Sequence, residues 1–280
     1  MCENAAGSEI PKERPCSAPS TPKNVNAEFL PSPLLTREGF AHAFFTRRGG
    51  CSPAPFDSLH FGGTGQSAGD LAANVVAAAH ALAIDPAHLY TATQVHGRDV
   101  MVVHGTEDRL EYLRRKADAV VTSTAGVACG VKVADCVPVL VGDRSSGAVA
   151  AIHSGWQGTE VNVVAAGIAA LQKELGEAGD LIAAIGPHIE VCCFEVGDDV
   201  AARLRACAPG VDAVDRRRGP RPHVDLRKIV RAQLQTLAIP SEAIDDVRGC
   251  TKCDGTRFFS FRRDRENSGR LLAAIVARPR

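Results

Sequence analysis

The sequence predicts a mixed α/β (α+β) fold, a single layered domain of mixed sheets covered by helices. Three observations predict it. Short β-rich apolar runs are interspersed with helical patterns along the whole chain. The 280 residues carry 45% apolar and 23% charged side chains, an ordinary balance for a chain that buries one sizeable core. No internal repeat and no long polar linker interrupts residues 27–280, so this stretch reads as one domain.

The elements follow in order. Residues 1–26 are rich in Pro, Ser, Lys, Glu and Asn with few large apolar groups, and are expected to form a disordered tail. His42–Thr46 reads as a strand running into the turn Arg47-Arg48-Gly49-Gly50. Asp70–Leu82 opens on an acid and is Ala-rich, which favours a helix. Leu89–Gln94, Asp99–His104, Ala119–Thr122 and Gly130–Val133 are β-rich. Val137–Val141 and Ala148–His153 are apolar runs joined by the turn sequence Asp143–Gly147. Glu160–Leu175 repeats Val161, Val164, Ile168, Leu171 and Leu175 at helical spacing. Leu181–Ile185 reads as a strand, Asp198–Ala206 and Leu226–Leu237 as helices, and Phe258–Phe261 as a strand.

Charge narrows the function. With 32 Lys+Arg against 32 Asp+Glu the net charge is zero, which argues against a surface built for nucleic acid or membrane. No apolar run approaches the roughly 18 residues of a membrane span. The first residues carry Glu3, Glu9 and Glu13 and no apolar stretch, unlike a secretory signal, so a cytoplasmic location is expected. In that reducing setting most of the ten cysteines are expected to be free thiols or ligands.

Three segments place metal-competent residues at the ends of apolar runs: Thr93–Gly97 around His96, Ala134–Pro138 around Cys136, and Ile152–Trp156 around His153. Imidazole and thiolate suit zinc and copper, and loops after strands can aim them at one point. Three protein ligands are the number typical of a catalytic zinc with one open position. The gaps of 40 and 17 residues match no short ligand motif. The same residues also read as strand-end histidines with a small buried cysteine, or as a Cys136 nucleophile with a histidine base.

Longer motifs add a resemblance. TQVHG, KVADCVPVL and AIHSGWQGT, in that order, resemble the family known as laccase-domain proteins, multicopper polyphenol oxidase-like proteins and peptidoglycan editing factors. CTKCD through RFFSFRRD with Gly269-Arg270 beyond, FFTRRGGCSPAPFDSLHFG near the start, and GPHIEVCCFEVG are similar to further family segments. The resemblance implies a single α/β domain and a zinc ion held by His96, Cys136 and His153. It implies cleavage of adenosine, inosine, guanosine and methylthioadenosine with phosphate, and deamination of adenosine. The implied partners are purine nucleosides and phosphate, with a monomer as the default. The chain departs from the family pattern at Gln157, where arginine is common, at His60, where asparagine is common, and at His188 and Glu190, where small residues are common. These bear on phosphate binding and substrate preference.

The chemistry then selects candidates. Deamination needs a metal-activated hydroxide and an acid/base group, and Asp135, next to a ligand, is the nearest carboxylate. Asp135 also reads as a cap or as a carboxylate orienting a ligand histidine. Phosphorolysis needs cations for phosphate, and Arg47 and Arg262 are the inward candidates of their arginine pairs. Gln94, two residues before His96, is placed to read the substrate, and Trp156 to stack on a base or to fill the core. Cys250-x-x-Cys253 has no second CxxC, which argues against a structural zinc, and adjacent Cys192 and Cys193 are expected to face opposite ways. Besides the zinc phosphorylase with deaminase activity, a copper-dependent phenol oxidase, a cysteine hydrolase acting on peptidoglycan-derived substrates and a binding module stay open.

Overall fold

The computed structural model describes residues 26–62 and 64–280. The tail expected over 1–26 lies, but for Asn26, outside the described residues.

The sheets hold thirteen strands: β1 (Phe29–Leu30), β2 (His42–Phe45), β3 (Leu89–Tyr90), β4 (Val100–Val102), β5 (Ala119–Thr122), β6 (Ala128–Val133), β7 (Val137–Asp143), β8 (Val149–Ser154), β9 (Leu181–Ile185), β10 (Val214–Asp215), β11 (His223–Val224), β12 (Ile244–Asp246) and β13 (Leu271–Val276). One five-stranded sheet has the order β1-β2-β13-β6-β3 and one six-stranded sheet the order β12-β9-β7-β8-β5-β4, while β10 and β11 form a separate ribbon. Around them lie α1 (Pro33–Arg37), α2 (Ala68–Ala81), α3 (Arg109–Tyr112), α4 (Trp156–Glu160), α5 (Val163–Leu175), α6 (Asp198–Ala206), α7 (Leu226–Thr236) and α8 (Phe261–Asp264). Mixed sheets covered by helices are the expected architecture.

The central strands are apolar throughout because both of their faces are covered. Every residue of β7, β8 and β9 is buried, as a doubly covered strand requires. Pro138 sits in β7 near its start, where its missing N–H costs little, and its carbonyl accepts the Gly186 N–H at 2.9 Å. The β6–β7 connection, residues 134–136, carries the chain from one large sheet to the other. Helix boundaries follow the polar caps. Ser67 caps α2 and Asp225 caps α7, while Asn162, in the left-handed region at φ 55°, caps α5 by accepting the Ala165 N–H at 3.1 Å.

Three expectations change. The strand expected over Leu89–Gln94 pairs with β6 only at Leu89–Tyr90, and Thr93 makes an isolated parallel bridge to Lys116. Beyond it the Gln94 side chain takes over the ladder: its Nε2 donates to the Lys132 carbonyl at 2.6 Å and its Oε1 accepts the Lys132 N–H at 2.7 Å. Phe258–Phe261 is not a strand. Phe258 and Phe259 are buried in a loop, and Ser260 caps α8 by accepting the Arg263 N–H, so the chain turns into a helix at that point. The closing strand β13, which pairs with both β2 and β6, was not among the expected elements.

Candidate active site

His96, Cys136 and His153 meet where three chain segments end near one another. His96 leaves the loop after β3, Cys136 opens the step into β7, and His153 stands near the end of β8. Their candidate ligand atoms all lie within 4.8 Å of one another, and Cys136 Sγ is 3.8 Å from His96 Nε2. The two imidazole rings are 5.0 Å apart and steeply inclined.

Asp118, immediately before β5, organises this group. It is fully buried and accepts the N–H groups of Val95 at 3.2 Å, His96 at 2.9 Å and Gly97 at 2.7 Å. Its Oδ1 also takes the Nδ1–H of His153 at 2.8 Å, which leaves His153 Nε2 for a metal. Those N–H donors hold His96 in a left-handed conformation, φ 60°, that the chain would otherwise avoid. Burial pushes the Asp118 carboxyl up, but His153 and the N–H donors more than offset it and keep the group ionised. Burial likewise opposes charge on Cys136 and His153, yet each lies against the other. The Cys136 thiol is therefore pulled down and the His153 imidazolium pushed up.

Room for an ion is visible in the backbone. A Cβ on Gly155 would fall 2.9 Å from Cys136 Sγ and 2.9 Å from His96 Cδ2, so only glycine keeps the donors and the space between them. Two imidazole nitrogens and one thiolate fit a borderline-soft divalent ion with one position left for water or substrate.

The donors form one end of a cavity of about 610 Å³. Ile189, Phe194, Leu226, Phe261 and half-buried Trp156 give it an apolar wall. Lys132, Arg262, Arg265 and Arg270 also line it, and among the described residues none of the four forms an ion pair with a carboxylate. Burial, and then the Arg270 charge, pushes the Lys132 ammonium below its usual range.

The residues expected from sequence fare differently. His96, Cys136, His153, Asp135, Gln94 and Arg262 all line the cavity. Arg47 does not. Its guanidinium donates to the carbonyls of Asp57, Pro55 and Gly255 and lies 4.4 Å from the Phe259 ring centre, so it braces loops. Asp135 has both oxygens taken, accepting the Thr251 hydroxyl and the Arg262 N–H at 2.6 Å each. The histidine-orienting carboxylate is Asp118, not Asp135. The amide of Gln94 is held by Lys132, which fits it poorly for reading a substrate. Sequence reasoning missed Asp118, Lys132 and Arg265. Of the departures, Gln157 is exposed at the cavity rim, whereas His60 is buried against Phe56 and its Nδ1 accepts the Arg270 N–H at 2.8 Å.

The chain is similar to known proteins over most of its length. The family model described as multi-copper polyphenol oxidoreductase laccase matches residues 41–278. A purine nucleoside phosphorylase of Streptomyces coelicolor, SCO2081, is 38% identical over 237 residues, covering 84% of this chain and 95% of that protein. Adenosine deaminase RL5, from an unknown prokaryotic organism, is 33% identical over 201 residues, covering 69% and 77%. The crystal structure of YlmD from Geobacillus stearothermophilus superposes with a TM-score of 0.81 at 29% identity, covering 91% of this chain and all of that one.

Proposed function

Since the chain belongs to the multi-copper polyphenol oxidoreductase laccase family, we propose that its cavity is the active site of a zinc-dependent purine nucleoside phosphorylase that also deaminates adenosine. The observation that carries this reading is the meeting, in one cavity, of an open three-donor metal group and four cations that form no ion pair with a carboxylate among the described residues. A cavity of about 610 Å³ suits a nucleoside and a phosphate together. The substrates are adenosine, inosine, guanosine and methylthioadenosine with phosphate, and residues 27–280 act as one catalytic domain.

His96, Cys136 and His153 would hold the zinc, which supplies Lewis acidity and an activated water at the open position. The protein's own groups do the rest. Lys132, Arg262, Arg265 and Arg270 bind the phosphate and neutralise its charge; a phosphate oxygen attacks the anomeric carbon of the ribose as the glycosidic C–N bond breaks, and the purine leaves with a proton taken from solvent. Phe194, Phe261 and Trp156 offer aromatic faces to the purine and exclude solvent. Asp135 lies within reach of the substrate, but its two hydrogen bonds fit a residue that positions the Thr251 loop and α8 better than one that shuttles protons. Asp118 fixes His153 in the tautomer a metal needs.

Copper-dependent phenol oxidation is the second reading, on the family's descriptive name. Among the described residues only one metal-competent group contains histidine, too few for a multicopper centre.

The test is turnover of adenosine by metal-quantified protein with and without phosphate, beside Cys136→Ala. Phosphate-dependent adenine release that disappears with the metal in the variant is expected, together with inosine formation that does not need phosphate. A zinc-loaded wild type that turns over no purine nucleoside would sink the proposal.

A further inference from the structure

Outside the cavity, Cys192, Cys193, Cys250 and Cys253 form a second group of metal-competent side chains. Two surface turns bring them together, one at 191–193 and one at 251–253. Their sulfurs all lie within 4.8 Å of one another, with Cys193 Sγ 3.3 Å and Cys192 Sγ 3.6 Å from Cys253 Sγ. Both adjacent cysteines bring their sulfurs to Cys253, Cys192 from an exposed position, against the sequence expectation that they would face opposite ways.

We propose that these four cysteines form a second, closed metal site that takes one thiophilic divalent cation, zinc in the first instance. A tetrahedral zinc with metal–sulfur bonds of about 2.3 Å sets its sulfurs about 3.8 Å apart. The 3.3 and 3.6 Å spacings lie a little below that value, a small contraction that a bound ion must open, and are far from the roughly 2.05 Å of a disulfide bond. Cys250-x-x-Cys253 has the ligand spacing of a zinc-binding turn. Binding is a simple exchange in which the four thiols release their protons to solvent and the ion takes four thiolates. The resulting net negative charge sits beside Lys252 and the Arg263 guanidinium, which donates to the Thr251 and Lys252 carbonyls at 2.9 and 3.2 Å.

None of the four cysteines lines the cavity, so this site closes on itself and meets no substrate. Its place in the fold gives it a role. Thr251 donates to Asp135, the Thr251 N–H donates to the His188 carbonyl at 3.0 Å, and Ile189 and Phe194, on either side of the cysteine pair, line the cavity. A metal here fastens the cavity's apolar wall to the loop that Asp135 holds. The inference is independent of what the cavity turns over.

Metal per chain in the full-length protein tests it, with no change to the cluster itself in the first arm. Cys136→Ala, purified under reducing conditions, is expected to keep one zinc where wild type holds two. Loaded with cobalt, that variant is expected to show tetrahedral bands with strong thiolate-to-metal charge transfer. Cys253→Ser is expected to lose one zinc, and alkylation of Cys192 and Cys250 is expected to be slow until a chelator is added. Three results overturn the proposal: a metal-free, cobalt-silent Cys136→Ala protein that is folded by circular dichroism; alkylation rates that ignore the chelator; or a disulfide among the four recovered from freshly reduced protein.

Discussion

The His96–Cys136–His153 group hangs from the ends of buried strands, whereas the four-cysteine cluster sits where two surface turns touch. At the first, a buried carboxylate behind the ligands fixes one ring and one loop before any ion arrives. At the second, among the described residues, no carboxylate bonds to the sulfurs, and the Arg263 guanidinium donates to the Thr251 and Lys252 carbonyls beside them. An open site must be held in shape by the protein because its ligand set is incomplete. A closed set of four thiolates can draw its loops into place through the ion itself. On the two proposals, one group would serve reactivity and the other architecture.

That contrast can be broken most directly at Gly155. Gly155→Ala should abolish metal at the three-donor group, since the new methyl group occupies the space between Cys136 and His96, and should leave the cysteine cluster loaded. Elemental analysis showing two metals per chain would refute the crowding argument. Asp118→Asn should weaken metal binding at the first group by about 10- to 100-fold, read by chelator competition, with no change at the second. Equal losses at both groups would mean that the variant acts through global unfolding. Lys132→Met should raise the KM for phosphate by about tenfold with a smaller change in kcat, as expected on losing one charged contact. Its Tm should be unchanged or higher, because a half-buried ammonium without a carboxylate partner is removed. An unchanged KM would remove Lys132 from the phosphate site.

The smallest effect is a control remote from both groups. His42 is buried and neutral, accepting the Ser32 N–H at Nε2 over 2.7 Å and donating from Nδ1 to the Phe40 carbonyl over 2.8 Å. Burial pushes its pKa below that of a free histidine, about 6.5. Below that pH the unfolded chain takes up a proton that the folded chain refuses. The His42 contribution is thus complete above about 6.5 and is lost as pH falls through the folded value. His42→Gln should flatten this part of the stability profile, measured by urea unfolding between pH 5 and 7, while metal content stays constant. Parallel profiles for variant and wild type would assign the slope to other histidines.

What the sequence shows of this molecule follows the range of the interactions involved. His96, Cys136 and His153 are legible because each stands at the end of an apolar run, with the motifs TQVHG, ADCVP and IHSGW around it. Asp118 is not, since an acid before a strand looks like any polar boundary and its meaning lies in a histidine 35 residues away. Lys132 in ACGVKV reads as a solvent-facing strand residue, although its neighbours in space are Gln94 and Arg270. Arg47 is the converse: a glycine-rich turn suggests an anion site, but the carbonyls of Asp57, Pro55 and Gly255 use its donors. The cysteine cluster joins segments about 60 residues apart, and no periodicity announces the meeting of two turns. The longer helices are legible because caps and spacing are local, whereas the aromatic run at Phe258 obeys the cap at Ser260, two residues on.

The passage of residues 134–136 from one large sheet to the other bears on the order of folding. His96 follows a strand of the first sheet and His153 belongs to the second, so the three ligands come together only once the sheets have stacked. Asp118, by gathering the N–H groups of residues 95–97 from the other side, ties the two sheets through bonds between protein groups alone. A metal bound at this point would then join a frame that does not depend on it. Its departure should speed amide exchange at the sheet junction while the strands keep their protection.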